Sequence, residues 1–379
     1  MSQSFIPYGR QLIEDDDIEA VVAVLRGDWL TTGPTVGRFE AAFAAYTGAA
    51  HAIAVGNGTA ALHLAAIAAG LGPGDEVIVP ALTFAASANC ARYVGAKVVF
   101  ADVRADTLTI DTAHVASLIT PHTRAIVTVD YAGLPSDLDE IMALADRHRL
   151  LVIEDACHAL GAEYRQRRIG SIAHLSTFSF HPVKHLTSGE GGMVTTNDAA
   201  LADRIRKLRN HGIETDHRQR EQQGTWQYDM RELGYNYRLT DIQCALGLTQ
   251  LAKQPRWLER RRVLARQYAQ SLSGASLRLP VQPDDRLHAW HLYLVQVMGK
   301  DTSRVRERVF RGLREAGIGV NVHYLPVYLH SYYQSLGYPR GLCPVAEATY
   351  AGLLSLPMSH GLTDEDQQRV TSTLTSLIA

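Results

Sequence analysis

The sequence predicts an α/β protein with a large, mostly parallel sheet and a smaller α+β region near the carboxyl end. From residue 51 onward, short apolar stretches alternate with helical patterns, which is typical of parallel strands joined by right-handed crossovers. These stretches are nearly continuous in apolar residues, which indicates a sheet that helices cover on both faces. A chain of 379 residues is also long enough for two domains.

The elements of the large sheet follow in chain order. Two helical patterns come first, at residues 15–26, where acidic residues suit the start of a helix dipole, and from about residue 34 to 46. The predicted strands are then residues 51–55, 76–80, 97–101, 125–129, 150–154 and 175–180. The helical patterns between them are residues 60–69, 85–94, 112–119 and 138–148. Ligands of such sheets bind beyond the carboxyl ends of the strands, so chemically active residues are expected there.

The pattern changes beyond a polar, irregular stretch at residues 211–239. The elements predicted there are one long helix at 240–272, strands at 290–297 and 319–323, and helices at 304–316 and 364–377. We therefore expect a large domain over residues 15–245 and a small domain over residues 246–379. The segment 1–14 is expected to pack near the site.

The composition excludes several classes of protein. A net charge of −2 gives no bulk attraction to nucleic acid, and no apolar run approaches the length that spans a membrane. The first residues lack the basic and apolar regions of a signal peptide. Cys90, Cys157, Cys244 and Cys343 are scattered and form neither a metal-type pair nor a disulfide framework. We therefore expect reduced thiols and a cytoplasmic location.

Lys184 lies on a loop just after the predicted strand at 175–180, which Pro182 ends. Gly189, Gly191 and Gly192 allow tight backbone turns behind the lysine. An amine in this position can condense with an aldehyde cofactor to form a Schiff base, and pyridoxal phosphate is the usual cofactor of this kind. That cofactor needs an acidic partner for its pyridine nitrogen and donors for its phosphate.

An acidic candidate is Asp155, which follows the strand at 150–154. A carboxylate there can pair with a protonated pyridine nitrogen and make the ring a better electron sink. Aspartate also caps helices well, and taken alone this residue is equally consistent with a helix N-cap.

Phosphate donors are predicted where the strand at 51–55 meets the next helix. Gly58 and Thr59 stand there, and backbone N–H groups with the Thr59 hydroxyl would form an anion site. Ser179 could donate to the same phosphate, and Phe84 could stack on the pyridine ring. Each also has an ordinary interpretation: glycine serves tight turns, Ser179 is a strand hydroxyl, and a single phenylalanine usually belongs to a core.

Seven motifs run in order through nearly the whole chain. They are T-T-G-P (31–34), G-N-G-T-A-A-L-H-L-A (56–65), G-D-E-V-I-V-P-A-L-T-F-A-A-S-A-N (74–89), E-D-A-C-H-A-L-G-A (154–162), S-F-H-P-V-K (179–184), G-E-G-G (189–192) and G-Y-N-Y-R-L-T-D-I-Q (234–243). In these motifs the sequence resembles the fold-type I, pyridoxal-phosphate-dependent nucleotide-sugar aminotransferases of the DegT group. The resemblance implies a mostly parallel, seven-stranded type of sheet.

The resemblance also implies roles for particular residues. Lys184 matches the Schiff-base lysine, Asp155 the partner of the pyridine nitrogen, and His158 the contact on the phenolic oxygen side. Asn236 matches a phosphate ligand from the neighbouring subunit, which implies a homodimer with shared sites. The implied cofactor-binding residues are Gly58, Thr59, Phe84, Asp155, His158, Ser179, Lys184 and Asn236. The implied substrate-binding residues are Tyr8, Thr31, Thr32, Gly33, His181, His323 and Tyr324.

The identity of residue 184 favours transamination, because relatives with histidine there act as sugar dehydratases or deoxygenases. The motifs resemble most closely the UDP-4-amino-4,6-dideoxy-N-acetyl-β-L-altrosamine transaminases of pseudaminic acid synthesis. That subgroup moves an amino group from glutamate to the C4 ketone of a UDP-linked 6-deoxy-N-acetyl-hexos-4-ulose. Two alternatives stay open: a 4-aminotransferase for another UDP-, dTDP- or GDP-linked keto sugar of the perosamine or bacillosamine type, and a non-catalytic regulator that binds pyridoxal phosphate.

Overall fold

The computed structural model describes residues 4–215, 217–222 and 224–378. The strands are β1 (His51–Val55), β2 (Glu76–Pro80), β3 (Lys97–Ala101), β4 (Thr123–Val129), β5 (Leu151–Asp155), β6 (Glu163–Tyr164), β7 (Arg167–Arg168), β8 (Leu175–Ser179), β9 (Gly192–Thr196), β10 (Leu277–Arg278), β11 (Arg286–Leu287), β12 (Tyr293–Val297) and β13 (Leu353–Leu356). The helices are α1 (Asp15–Leu25), α2 (Pro34–Thr47), α3 (Gly58–Ala68), α4 (Ala85–Tyr93), α5 (Thr112–Leu118), α6 (Leu138–His148), α7 (Ala199–Leu208), α8 (His217–Gln222), α9 (Asp241–Ala252), α10 (Gln254–Ser271), α11 (Thr302–Glu315), α12 (Ser331–Ser335), α13 (Pro344–Gly352) and α14 (Asp364–Ile378).

The large sheet confirms the predicted α/β class. Within the described residues it has seven strands in the order β1-β9-β8-β5-β4-β2-β3. The pairs from β3 through β2, β4 and β5 to β8 are parallel. Strand β9 is antiparallel to both of its neighbours, β8 and β1. The carboxyl ends of β4, β5 and β8 therefore meet at one edge, as the alternating pattern predicts.

Several features differ from the sequence-based expectation, among them one strand, one helix and one expected strand. Strand β9 was not predicted, because its first residue continues a glycine-rich stretch that is typical of a turn. The helix expected over residues 240–272 is two helices, α9 and α10, that meet at Lys253. Pro255 explains the break, since its ring clashes with the carbonyl four residues earlier. The strand expected at 319–323 is only an isolated bridge between Asn321 and Ser355.

The carboxyl-terminal part is built around a second sheet, in the order β10-β12-β13. Helices α10, α11 and α14 contribute to its apolar core. The amino-terminal segment also reaches this part, because Ile6 N–H donates to Gly317 O at 2.9 Å and Met358 N–H donates to Tyr8 O at 2.9 Å. The domain boundary at residue 245 stays a prediction. Among the described helices, none is both long and apolar enough to cross a membrane.

Two buried carboxyl groups lie behind the edge where β4 and β5 end. Asp130 accepts a hydrogen bond from Ser136 N–H at 2.9 Å, and Ser176 Oγ donates to Glu154 at 2.5 Å. The two carboxyl groups also interact with each other. Burial raises the pKa of Asp130 well above its usual value, and the nearby Glu154 adds to this; burial also raises the pKa of Glu154. The folded protein therefore retains a proton here that the unfolded chain releases above about pH 4.

This pair should make the protein less stable as pH rises. Between the carboxyl pKa of the unfolded chain, about 4, and the raised folded value, the folded state binds more protons, so the free energy of unfolding falls. Asp130→Asn keeps an acceptor for Ser136 and offers an amide donor to Glu154. We expect its Tm to exceed that of the wild type by about 1–3 °C at pH 8 and to vary less with pH. Thermal unfolding from pH 5 to 9 measures this difference. Asp284→Asn, which removes an exposed carboxylate, is the control, and its Tm should vary with pH as that of the wild type does. Parallel profiles of Tm against pH for Asp130→Asn and the wild type would contradict a proton retained by this pair.

Candidate active site

A cavity of about 560 Å³ opens at the carboxyl edge of the large sheet. It brings together most residues that the sequence singled out. The lining includes Tyr8, Gly58, Thr59, Phe84, Asp155, His158, Ser179, His181, Lys184, His323 and Tyr324. Elements far apart in the chain supply them, from the amino-terminal segment to the stretch before η2 (Val327–Leu329). One cavity thus combines an amine, a carboxylate, hydroxyl groups and aromatic rings.

Lys184 lies on the loop that joins β8 to β9. Its backbone N–H donates to His181 O at 2.9 Å, which forms a tight turn just after the strand. Burial lowers the pKa of the Lys184 amine, while Cys157 and Asp155 oppose this shift. An amine with a lowered pKa is more often neutral, and a neutral amine is the form that attacks a carbonyl carbon or accepts a proton.

Asp155 is the last residue of β5, and its side chain is only 6% exposed. Ser87 Oγ donates to Asp155 Oδ2 at 2.6 Å, and the backbone N–H of Cys157 donates to Oδ1 at 3.2 Å. No helix begins directly after Asp155, where the described chain continues as turns. The helix N-cap interpretation therefore does not apply, and the carboxylate faces the cavity.

The amino end of α3 forms another wall of the cavity. Asn57 caps this helix, since its Oδ1 accepts from Ala60 N–H at 2.8 Å. A Cβ atom at Gly58 would lie 2.9 Å from Ser179 Cβ and 3.2 Å from Cys157 Sγ, so only glycine allows the helix to approach β8 this closely. The first backbone N–H groups of a helix have no partner within the helix. Together with the hydroxyl groups of Thr59 and Ser179, they offer donors to a phosphate.

His158 is buried beside the cavity. Its Nε2 lies 3.3 Å from Tyr324 Oη, and its ring lies 4.3 Å from the ring of His291, centroid to centroid. Burial, with Lys184 and His323 adding to the effect, lowers the pKa of His158 well below its usual value, so the ring is neutral. Its Nδ1 is a buried polar atom without a partner among the described residues.

Aromatic side chains form the outer part of the cavity. Phe84 is 57% exposed, so it is not a core residue, and its ring lies 5.8 Å from the ring of Tyr324. The ring of Tyr8 lies 5.5 Å from that of His323. Burial lowers the pKa of His323 to about 4, so this histidine is also neutral. The outer cavity therefore presents flat apolar surfaces and neutral donors and acceptors.

Some functional candidates were not found from the sequence. Asn321 lines the cavity, with its Nδ2 3.4 Å from His323 Nε2, and His323 Nδ1 lies 2.7 Å from Ser355 Oγ. His291, which packs on His158, also lines the cavity. These residues follow no recognisable motif. The one signal was their position near the ends of predicted strands in the carboxyl-terminal part.

The structure places the loop with Thr31, Thr32 and Gly33 outside this cavity. Thr31 forms an antiparallel bridge with Thr240, and Gly33 N–H donates to Asp241 Oδ2 at 2.7 Å. The connection to the cavity is indirect, because Gln243, two residues after Asp241 in α9, donates to the backbone oxygen of Glu190 in the lining. The proposed contacts of this loop with substrate stay predictions.

Asn236 also lies outside the cavity of its own chain. It is exposed and forms an antiparallel bridge with Asn210. Arg238 Nη1 donates to Asn210 Oδ1 at 2.8 Å, so within one chain this arginine pairs in its own region. His185 is buried with its Nε2 2.9 Å from Ala289 O, which is a structural contact. His181 is exposed at the cavity wall, where a substrate could reach it.

The residues of the cavity suit the expected cofactor. A desolvated amine and a buried carboxylate lie in one cavity, and the donor-rich end of α3 lines the same space. The buried Nδ1 of His158, which has no partner among the described residues, indicates a ligand with a polar group. Pyridoxal phosphate has an aldehyde, a pyridine nitrogen, a phenolic oxygen and a phosphate, which match these groups.

Comparison with known proteins gives a consistent family. The family model described as DegT/DnrJ/EryC1/StrS aminotransferase family matches residues 11–375. Spore coat polysaccharide biosynthesis protein SpsC of Bacillus subtilis (strain 168) is 42% identical over 380 residues, which cover 99% of this chain and 97% of that protein.

Solved structures of two proteins have the same fold over almost their whole length. The putative sugar aminotransferase Spr1654 from Streptococcus pneumoniae, in its PMP-form, is 32% identical with a TM-score of 0.94, covering 98% of each chain. Its PLP-form gives a TM-score of 0.93. Helicobacter pylori PseC, an aminotransferase involved in the biosynthesis of pseudoaminic acid, is 31% identical with a TM-score of 0.91, covering 99% of each chain.

Proposed function

Since the chain belongs to the DegT/DnrJ/EryC1/StrS aminotransferase family, we propose that it transfers an amino group from glutamate to a nucleotide-linked keto sugar. The acceptor is the C4 ketone of a UDP-linked 6-deoxy-N-acetyl-hexos-4-ulose, and the cofactor is pyridoxal phosphate. The observation that carries the proposal is that Lys184 and Asp155 line one cavity with the amino end of α3. We also propose that the enzyme works in the cytoplasm, which suits its four free cysteines.

When bound, pyridoxal phosphate would supply an electron sink, and it would carry the amino group from donor to acceptor. The protein supplies the rest. Lys184 would hold the cofactor through its amine, and the freed amine would move a proton between the two carbon atoms on either side of the transferred nitrogen, a task that its lowered pKa suits. Asp155 would hold a proton at the pyridine nitrogen. Thr59 and Ser179 would bind the phosphate, and Phe84 would contact the ring.

The sugar assignment is supported by the motif resemblance to the altrosamine transaminases and by the similarity to PseC. A different acceptor sugar is supported by SpsC, which is named for spore coat polysaccharide and has a higher sequence identity to this chain than PseC. The contents of the outer cavity suit either sugar, since neutral His323, Asn321 and Tyr8 can contact hydroxyl or acetamido groups. The sugar must therefore be identified by turnover.

The test measures 2-oxoglutarate release with glutamate and a panel of 4-keto-6-deoxy sugars. The panel includes UDP-linked N-acetylated sugars of both C5 configurations, together with dTDP- and GDP-linked sugars without an acetamido group. Turnover of an N-acetylated UDP sugar with the highest kcat/KM supports the proposal. A preference for a dTDP or GDP sugar would overturn the sugar assignment and keep the enzyme class. Absence of turnover with every sugar would favour the non-catalytic regulator.

We further propose a homodimer in which Asn236 serves the cofactor phosphate of the opposite subunit. Exposure of Asn236 outside its own cavity supports this arrangement, and a twofold dimer would form the shared contact twice. Mixing Lys184→Ala chains with Asn236→Ala chains should then restore activity. In a mixed dimer one site has Lys184 from one chain and Asn236 from the other, while the second site lacks both.

Loss of one hydrogen bond to a charged group costs about 1.5–3 kcal/mol, so the assay should keep the cofactor limiting. Differently tagged chains establish that subunits have exchanged, and each homodimeric variant serves as a control. If exchange occurs and mixing restores nothing, Asn236 does not act across the dimer.

A further inference from the structure

Asp155 is held by Ser87 and Thr83, which lie within the motif at residues 74–89 but to which the sequence assigned no role. Ser87 Oγ donates to Asp155 Oδ2 at 2.6 Å, and Ser87 Oγ lies 2.8 Å from Thr83 Oγ1. Ser87 and Thr83 are buried, with 0% and 2% exposure. They flank the start of α4, so that one short stretch presents Phe84 to the cavity and Ser87 to the carboxylate one turn later.

The directions of these hydrogen bonds follow from the chemistry of the groups. An ionised carboxylate can only accept, so the Ser87 proton is directed to Asp155. Ser87 Oγ then has only acceptor capacity left, so Thr83 must donate to it. The result is a chain of hydrogen bonds that all point the same way, from Thr83 through Ser87 to Asp155. In a buried chain of this kind each bond polarises the next, so Thr83 strengthens the bond that Ser87 donates.

We propose that Ser87 and Thr83 are positioning residues that hold the Asp155 carboxylate in one orientation for the cofactor's pyridine nitrogen. The proposal rests on the proposed function and its cofactor. Cys157 N–H fixes the other carboxylate oxygen, so Asp155 has donors on both oxygens. A carboxylate held in this way needs no reorientation when the cofactor binds.

A purely structural role is the competing explanation, because polar residues near the start of a helix often cap it. The geometry argues against this role. Ser87 Oγ bonds across to the end of β5 and not to the first N–H groups of α4, and Phe84, the N-cap residue, makes no side-chain cap bond. The hydroxyl of Thr83 likewise bonds to Ser87 and leads toward the carboxylate.

The test uses Ser87→Ala, Thr83→Val, their double variant, and the conservative Thr83→Ser. Thr128→Val is a matched control, because Thr128 Oγ1 on the adjacent strand β4 is buried without a partner among the described residues. Ser87→Ala should lower kcat and weaken the binding of pyridoxal phosphate to the apoenzyme, each by about ten- to a hundredfold. The KM for the keto sugar should stay within about twofold. The visible circular dichroism of the bound cofactor should change, since it reports ring orientation.

Thr83→Val should give a smaller loss of the same kind, and Thr83→Ser and Thr128→Val should match the wild type. The double variant should be no worse than Ser87→Ala, because Thr83 acts through Ser87. If the losses in kcat and cofactor affinity multiply in the double variant, the proposed chain of hydrogen bonds is wrong. So would a Ser87→Ala protein with lowered Tm but wild-type cofactor affinity and dichroism. If Ser87→Ala fails to fold, a comparison of Thr83→Val with Thr83→Ser tests the same chain of hydrogen bonds. Cofactor titration of apoenzyme needs no sugar, so its outcome is independent of the acceptor assignment.

Discussion

Replacing Lys184 by alanine should reduce aminotransfer by more than about 10⁴-fold, the upper range for loss of a general acid–base group, because the same amine also binds the cofactor. The fold should survive, since Lys184 lies on the loop between β8 and β9 and its side chain makes no ion pair or hydrogen bond with the described residues. Turnover, together with borohydride reduction of the loaded enzyme and peptide mass spectrometry, measures this effect. In the wild type, reduction should attach the cofactor to Lys184.

Lys97→Ala is the matched control for this experiment. Lys97 is an exposed lysine paired with Glu76 at 2.8 Å, and its loss should leave turnover and the labelled peptide unchanged. A cofactor adduct on any lysine other than Lys184 would show that this residue is not the attachment point. Near-normal thermal unfolding of Lys184→Ala would establish that the lost activity has a chemical cause.

Loss of the Asp155 carboxylate should have the second largest effect. We expect Asp155→Ala to retain part of its cofactor binding through the phosphate contacts and to lose about 10²–10⁴-fold in kcat. Without the anion the pyridine nitrogen loses its proton, and the ring then accepts electrons poorly. Absorbance of bound cofactor separates binding from turnover in the same sample.

Asp155→Asn distinguishes charge from structure. Asparagine keeps an oxygen that can accept from the backbone N–H of Cys157 or from Ser87, but it carries no charge. If the charge matters, Asp155→Asn should lose nearly as much turnover as Asp155→Ala. A near wild-type kcat for Asp155→Asn would instead mean that Asp155 only supports the turn after β5.

Most strands of the large sheet could be predicted because their signals are local. Strands β1, β2 and β3 have the predicted bounds, since each apolar stretch is flanked by polar residues, glycine or a following loop. Strand β9 could not be found in this way. Its strand conformation depends on pairing with β1 and β8, and its first residue, Gly192, is needed because a Cβ there would lie 2.5 Å from Asn57 O.

The site residues could be predicted where chemically reactive side chains follow the ends of predicted strands. Parallel topology brings Asp155 and Lys184 to one edge, and the order of the motifs indicates this arrangement. Ser87, His291 and Asn321 could not be predicted, because their roles depend on side-chain direction and on packing between distant parts of the chain. A sequence pattern gives the face of an element but not the partner that this face meets.

The pairing of β1 with β9 has a consequence for biosynthesis. Strands β2 to β5 can pair with one another soon after they leave the ribosome, but β1 must wait for β9, with His51 opposite Thr196. Until then the nascent chain exposes an apolar strand with an unpaired edge, which is the kind of segment that aggregates. The wall formed by α3 and the loop of Lys184 come together only when this pair closes. While residues 56–196 are synthesised, β1 therefore has no partner strand in the sheet.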